Sequence, residues 1–254
     1  MKNKKEERLG EINKNNYGRE MKIIKYNNNL DIEVEFDNGY KTKCEYRSFK
    51  KGSVRNPYDR TVYNKGFLGE GKYITSINKK QTKIYDVWKA MLQRAYSKKF
   101  KKNNPTYEDC IVCEEWHNFQ KFGKWYDKNY YEVPGDKMQI DKDILYKENK
   151  LYSPKTCVFV PEKINYLFIK TDAKRGKLPI GVHYHRRNKK YCVQLKDENC
   201  IRKYIGQFDS PRKAFEAYKQ EKELVIKKVA EKYKTQIPLK LYEAMLNYKV
   251  ELND

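Results

Sequence analysis

Hydrophobic and polar residues between Met21 and Tyr46 alternate with a period of two. Ile32, Val34 and Phe36 fall on one side, Glu33 and Glu35 on the other. This predicts strands at Met21–Tyr26, Leu30–Phe36 and Tyr40–Tyr46. The last two are joined through Asp37-Asn38-Gly39, whose residues tolerate the positive φ of a tight hairpin turn. Glycines 52, 66, 69 and 71 and Pro57 punctuate the stretch beyond Tyr46, so residues 1–75 are expected to form a small antiparallel β-barrel. The period then lengthens to that of a helix. Tyr85, Trp88, Leu92 and Ala95 predict a helix over Lys83–Ser97, and Trp116, Phe119, Phe122 and Trp125 predict another over Glu114–Tyr130, with the aromatics as core. Alternation returns at Gly181–His185, Tyr191–Lys196 and Arg202–Gly206. Asp209-Ser210-Pro211 then gives an N-cap and a proline at the first helical position, where a missing N–H costs nothing. Behind the cap, Phe215, Tyr218, Val225, Val229 and Tyr233 recur at helical spacing, and a short helix over Pro238–Leu246 closes the chain. The pattern is α+β. It divides into an N-terminal barrel (1–75), a central helical and hairpin module (76–170) and a C-terminal three-stranded sheet plus helix (171–254), with a basic linker at Lys170–Lys177.

Charge changes the picture most at the C-terminal end. The chain of 254 residues has 56 Lys and Arg against 34 Asp and Glu, a formal net charge of +22. Residues 170–240 hold 20 of those cations against 8 carboxylates, so more than half of the excess sits there. Clustered positive charge is the footprint of a phosphate-backbone partner. No apolar run reaches membrane-spanning length and no signal-peptide pattern opens the chain, so a cytoplasmic protein with no membrane partner is expected. The six cysteines (44, 110, 113, 157, 192 and 200) show no framework spacing and are read as reduced thiols.

If the C-terminal helix covers one face of the sheet, the other face is left carrying His183, His185, Arg187, Gln194, Lys196, Arg202 and Lys203. Arg186, Lys189 and Lys190 lie in and beside the first turn. A sheet of that width and charge fits a DNA major groove. Gly181-Val182, the aromatic Tyr191, the Ile205-Gly206-x-Phe208-Asp209 turn and Ala214-x-x-Ala217-Tyr218 resemble the ethylene-response-factor (Apetala-type) DNA-binding domain over about sixty residues. The resemblance implies binding to double-stranded DNA through the sheet. Histidines stand where that family has its first-strand contact residues, so no sequence preference is carried over.

The middle of the chain holds Cys113-Glu-Glu-Trp-His-Asn-Phe, Gln139-Ile-Asp-Lys-Asp143 and a run from Asn149 through Tyr-Ser-Pro-Lys-Thr-Cys157 to Asn165. These segments resemble the phage-type HNH nucleases, in which a hairpin and a helix clasp one divalent metal. The resemblance implies Asp141 as acidic ligand, Asn149 as the asparagine bracing the loop and Asn165 as the final ligand, with Asp143 a second nearby carboxylate. Hard oxygen ligands suit Mg2+ or Mn2+. Lys142 stands where the general-base histidine belongs. With an ordinary pKa of about 10.4 it is protonated at neutral pH and accepts no proton from water. Two routes would leave the module active: Lys142 acting electrostatically, or His117 supplying the base from the preceding helix. Cys110-x-x-Cys113 has the spacing of half a zinc site, with His117 or Cys157 as further ligands, but no second pair is present and zinc is not expected.

The expected function is therefore that of a DNA-binding protein carrying an HNH-type metal-dependent endonuclease or nickase. The alternative is a non-catalytic nucleic-acid binder with a degenerate HNH module that regulates or blocks host machinery acting on DNA. A grip on a host protein or nucleoprotein complex through the N-terminal module is a third reading.

Overall fold

The computed structural model describes residues 7–169 and 178–252, so the expected linker at 170–177 lies outside the described residues. The chain divides into two compact units, residues 1–126 and 127–254. This is not the expected three-part division, and the boundary falls inside the segment read as the central module.

In the first unit, strands β1 (Ile12–Lys14), β2 (Glu20–Asn28), β3 (Asp31–Phe36) and β4 (Lys41–Cys44) form an antiparallel sheet in sequential order. The alternation in β3 is realised directly. Ile32 and Val34 are fully buried with Met21, Ile23, Phe36 and Phe49, while the glutamates between them face outward. Gly39 takes a φ of +81°, and Phe36 N–H donates to Tyr40 C=O at 2.8 Å, closing the β3–β4 hairpin. The sheet does not close into the expected barrel. Its edges are β1 and β4, and the next residues form helix α1 (Tyr46–Lys50), which plugs the sheet with Phe49. The glycine-rich stretch after it is irregular. It is held by the buried Asp59 carboxylate, which takes hydrogen bonds from Asn15 (2.7 Å) and Arg19 (2.9 Å).

The rest of this unit is aromatic. A short β5–β6 hairpin (Ser76–Ile77 and Lys80–Gln81) leads to helix α2 (Lys83–Tyr96), which is capped by Thr82. It buries Trp88, Met91, Leu92 and Ala95. Helix α3 (Lys98–Asn103) and the short strand β7 (Ile111–Val112) come next. The expected Glu114–Tyr130 helix is broken in two: a 3-10 turn over Glu114–His117, then α4 (Phe119–Asn129). Asn118 at the break is extended (φ −85°, ψ 117°) and its Oδ1 accepts the Gln120 N–H at 2.8 Å, so its amide side chain competes with the helical ladder. Trp88 Nε1 donates to the Trp116 carbonyl at 2.7 Å, tying α2 to that turn.

The second unit has a single core fed by two sheets. Strands β8 (Met138–Asp141) and β10 (Val158–Pro161) pair antiparallel, with Asp141 opposite Val158 and Gln139 opposite Val160. The short strand β9 (Leu151–Tyr152) lies in the connection between them, and helix α5 (Glu162–Asn165) comes directly after β10. Strands β11 (Val182–His185), β12 (Lys190–Lys196) and β13 (Arg202–Phe208) form the second sheet in sequential order. Helix α6 (Pro211–Tyr233) starts at the expected cap: Ser210 Oγ accepts the Lys213 N–H with Pro211 in the first turn. Helix α7 (Leu239–Asn247) closes the unit. Val158, Val160 and Ile164 of the hairpin share one buried cluster with Val182, Val193 and Leu195 of the sheet and Phe215, Tyr218, Val225 and Val229 of α6. Asp136, buried before β8, reinforces the junction by pairing with Lys163 (2.9 Å) and accepting the Tyr233 hydroxyl (2.8 Å). No helix among the described residues is long and apolar enough to cross a membrane.

Because hairpin and sheet share that core, Ile164→Ala and Val193→Ala should each cost about 2–4 kcal/mol. Both should lower the same cooperative transition, which urea unfolding monitored by fluorescence and by circular dichroism would show. Substitutions that lowered different transitions would contradict a common core. Lys222 gives a pH test. It lies on α6 one turn from both Tyr218 and Ile226, on the inward side, with no carboxylate partner among the described residues, and burial lowers its pKa to about 8. The folded chain therefore holds that proton less tightly than the unfolded chain, whose lysine keeps a pKa of about 10.4. Stability should rise with pH between those two values, and the penalty is complete once pH has fallen below about 8. Lys222→Met should raise stability at neutral pH and flatten that rise, as read from denaturation midpoints across the window.

Candidate functional site

The hairpin residues come together in one loop, in an arrangement that ties up their functional atoms. Asp141 ends β8, and its Oδ1 accepts the N–H groups of Asp143 (2.8 Å) and Ile144 (2.7 Å), capping the turn beyond the strand. Burial, reinforced by the nearby Asp143 charge, pushes its pKa up to about 6. Lys142 turns inward: it is 7 % exposed and its Nζ sits 3.0 Å from Asp143 Oδ2. The lysine in the general-base position is thus a buried cation neutralised by the second candidate metal ligand. Asn149 donates from Nδ2 to the Lys142 carbonyl at 2.7 Å and the Leu151 carbonyl at 2.8 Å, spanning the loop. Asn165 on α5 faces β8 but donates to Gln139 Oε1 at 2.5 Å, and Gln139 in turn donates to Glu162 Oε1 at 3.0 Å. Gln139 and Glu162 were missed by the sequence reading. The signal lay in their spacing, two residues before Asp141 and three before Asn165.

His117 belongs to the first unit, buried among its aromatics, with Nε2 2.8 Å from the Tyr96 hydroxyl. Burial lowers its pKa, and the charges of Arg60 and Lys65 act in the same direction. It is a buried residue of that unit. Cys110 and Cys113 also lie in the first unit, whereas Cys157 lies in the second, and all are free thiols.

A divalent metal on the hairpin would need open carboxylate oxygens. Asp143 is paired with Lys142, one oxygen of Asp141 is committed to two backbone amides, and Asn165 is bound to Gln139. No group of three or more His, Cys, Asp and Glu side chains spaced to hold a metal occurs among the described residues. The arrangement does not fit Mg2+ or Mn2+ as it stands.

The C-terminal sheet presents a different chemistry. Its register sets His183 beside Cys192 and Gln207, His185 beside Lys190, Gln194 beside Tyr204, and Lys196 beside Arg202. These positions lie opposite the α6 side, and no carboxylate occurs among them. Cys192, at the centre, is 2 % exposed, whereas Tyr204 is 58 % exposed. Tyr204 and Gln207 are outward-facing residues the sequence reading overlooked, although strict alternation from Arg202 leads to Tyr204. The same alternation corrects Lys203. It turns to the helix side and pairs with Glu221 of α6 at 2.5 Å, which raises its pKa. A register shift between Val193 and Gln194 leaves Ile205 as an extra residue in β13 and restores Phe208 to the core side. Lys190 is ion-paired with Asp209.

Arg186, Arg187 and Lys189 are exposed in the β11–β12 turn and have no ion pair among the described residues. In the same turn Asn188 N–H donates to His185 Nδ1 at 3.2 Å. That bond places the neutral ring's proton on Nε2, which becomes a donor. No family model matches the chain, and no curated protein or solved structure is similar to it.

Asn149→Ala should remove a donor from the Lys142 carbonyl and leave the Leu151 carbonyl with the Thr156 hydroxyl alone, at a cost of about 1–3 kcal/mol. Hydrogen exchange at the amides of residues 142–151 should accelerate well beyond the change elsewhere in the unit, whereas unchanged protection would remove Asn149 as the brace.

Proposed function

We propose that the chain binds double-stranded DNA through the outward face of β11–β13. The observation that carries this reading is a face of polar and cationic side chains without a carboxylate, backed by a helix that makes it rigid. Strands about 4.8 Å apart make a three-stranded face about 10 Å across, and a major groove is about 12 Å wide. Arg186, Arg187 and Lys189 in the turn are suited to phosphates, since an exposed cation gains from counterion release wherever it meets the backbone. His183, His185 with its Nε2 donor, Gln194 and Arg202 lie farther along the strands, where base edges come into reach. On this reading the hairpin is a structural partner of the sheet, and the protein acts by occupying DNA. That would obstruct or redirect machinery working on the same duplex.

A second reading, metal-dependent strand cleavage, draws on one observation. The order β8, loop, β10, α5 places Asp141, Asn149 and Asn165 on the elements that the HNH resemblance requires. It demands that the Lys142–Asp143 pair open.

Binding measured on a duplex of random sequence should weaken steeply with salt. Each phosphate-contacting cation removed should reduce the slope of log K against log salt by about 0.9. Arg187→Ala and Lys189→Ala should therefore lower the slope, whereas Gln194→Ala should leave it unchanged and alter preference among sequences. Point substitutions are the proper test, since cutting the chain before the sheet would strip the core from Val160 and Ile164. Unchanged affinity in an Arg187/Lys196/Arg202 triple variant would refute the interface.

The two readings part in a supercoiled-plasmid assay with Mn2+. Binding without nicking is expected. Nicking abolished by Asp141→Ala would instead establish the cleavage reading.

A further inference from the structure

The β5–β6 hairpin of the first unit is a two-stranded ribbon whose four strand residues are all exposed. Its root is held firmly. The buried Gln120 of α4 accepts the Tyr73 N–H and donates to the Tyr73 carbonyl, both at 2.9 Å. Gly71 lies so close to that glutamine, and Gly123 to the Tyr73 ring, that a Cβ at either would collide. Thr82 closes the base, donating from Oγ1 to the Ile74 carbonyl at 2.9 Å and from N–H to the Thr75 carbonyl at 3.0 Å. The ribbon is thus a firmly mounted arm with its tip left to solvent.

The tip joins an apolar side chain to two cations. Ile77 is 58 % exposed and lies directly opposite Lys80 across the ladder, on the same face. Asn78 and Lys79 form the turn, with φ of +48° and +65°. Glycine takes such a φ without strain, so the lysine in the second position stands there at a backbone cost and supplies an ammonium group to the tip. The same tripeptide, Asn-Lys-Lys, recurs in the β11–β12 turn, where Lys189 is likewise at positive φ (+51°). No carboxylate occurs between Glu70 and Asp86, and neither the Lys79 nor the Lys80 ammonium has an ion pair or hydrogen bond among the described residues.

This pairing narrows the partner. Two lysines and a single apolar tip residue fall short of stable membrane attachment. The ribbon has no aromatic ring on which an unpaired base could stack. A duplex groove offers apolar sugar and base edges between two rows of phosphates. Three residues of ladder at about 3.3 Å each carry the tip about 10 Å from its root, and the grooves of B-DNA are about 7.5–8.5 Å deep. We propose that the β5–β6 ribbon is a second contact with double-stranded DNA, in which Ile77 enters a groove and Lys79 and Lys80 meet the phosphates at its rim. The proposal rests on the duplex-binding reading for its partner, but on none of the residues of the β11–β13 face.

The test measures binding of the full chain to a fluorescein-labelled duplex of random sequence by polarisation across a salt series. Lys79→Gly and Lys80→Ala should each reduce the slope of log K against log salt by about 0.9. Lys79→Gly should melt no lower than the parent, since glycine relieves the positive φ, so that binding falls without a loss of stability. Ile77→Ala should weaken binding roughly fivefold with the slope unchanged, whereas Ile77→Leu stays close to the parent. The Arg187/Lys196/Arg202 triple variant is measured beside an Ile77→Ala/Lys79→Gly/Lys80→Ala variant. Loss confined to the first overturns the ribbon contact and leaves the sheet reading standing. Loss confined to the second does the reverse, and loss in both supports both. The ribbon contact is also overturned if an oligothymidylate displaces the duplex with the same dependence on Ile77, or if the parent binds no duplex.

Discussion

Helix α6 covering one face of the β11–β13 sheet is the contact on which the second unit depends. The apolar side of the strands (Val182, Val193 and Leu195) needs a cover to take it out of water. Phe215 and Tyr218 supply it at one end of the helix. The fit is close enough to dictate a residue: Gly181 sits at a φ of +76° against the Tyr218 ring, where any Cβ would collide with it. With one face sealed, the sequence period of two commits every alternate side chain to the opposite face. The outward chemistry of the sheet is thus a consequence of its inward packing, and a one-residue slip in register would exchange the two.

The same core explains why the hairpin is where it is. Val158, Val160 and Ile164 enter the cluster that α6 organises, so β8, β10 and α5 are part of the wall behind the sheet. Within the hairpin, the Lys142–Asp143 pair keeps a cation at 7 % exposure. Such a pair gains little net stability over apolar residues of similar volume, but losing either partner leaves the other charge uncompensated. Together with Asp141 capping the turn, Asn149 spanning it and Ile144 buried in the core, the pair fixes the conformation of the loop.

What the sequence made legible were features decided locally. The β3–β4 hairpin, the Ser210-Pro211 helix start and the division of β11–β13 into two faces all derive from spacing and turn chemistry. Features decided by tertiary partners were not legible. The barrel was expected from glycine punctuation, but closure depends on whether later segments pair with β4, and residues 46–50 are instead helical. The helix through Asn118 obeyed the aromatic period and still broke, because one amide side chain satisfied the backbone better than the ladder did. At the hairpin, the replacement of the expected base by Lys142 could be read directly. That its ammonium turns inward onto Asp143 could not, since no local rule says which way an isolated lysine points.

Net charge alone would have spread the attraction for phosphate over the whole surface, but the fold sorts it. On the helix side of the second unit, Lys203 pairs with Glu221, Lys219 with Glu223 and Lys228 with Glu198. Each of those cations is offset where it stands, although Lys213, Lys227 and Lys232 on α6 have no ion pair among the described residues. On the strand side, Arg186, Arg187, Lys189, Lys196 and Arg202 have no such partners among the described residues. The carboxylates of the C-terminal segment are thus largely spent on α6 and the turns. The outward face of β11–β13 thus holds cations with no carboxylate among them. On the duplex-binding reading proposed above, a duplex approaching from that side would meet cations held about one strand spacing apart. From the helix side it would meet a mixture of ion-paired and unpaired lysines, so that part of the charge is already offset.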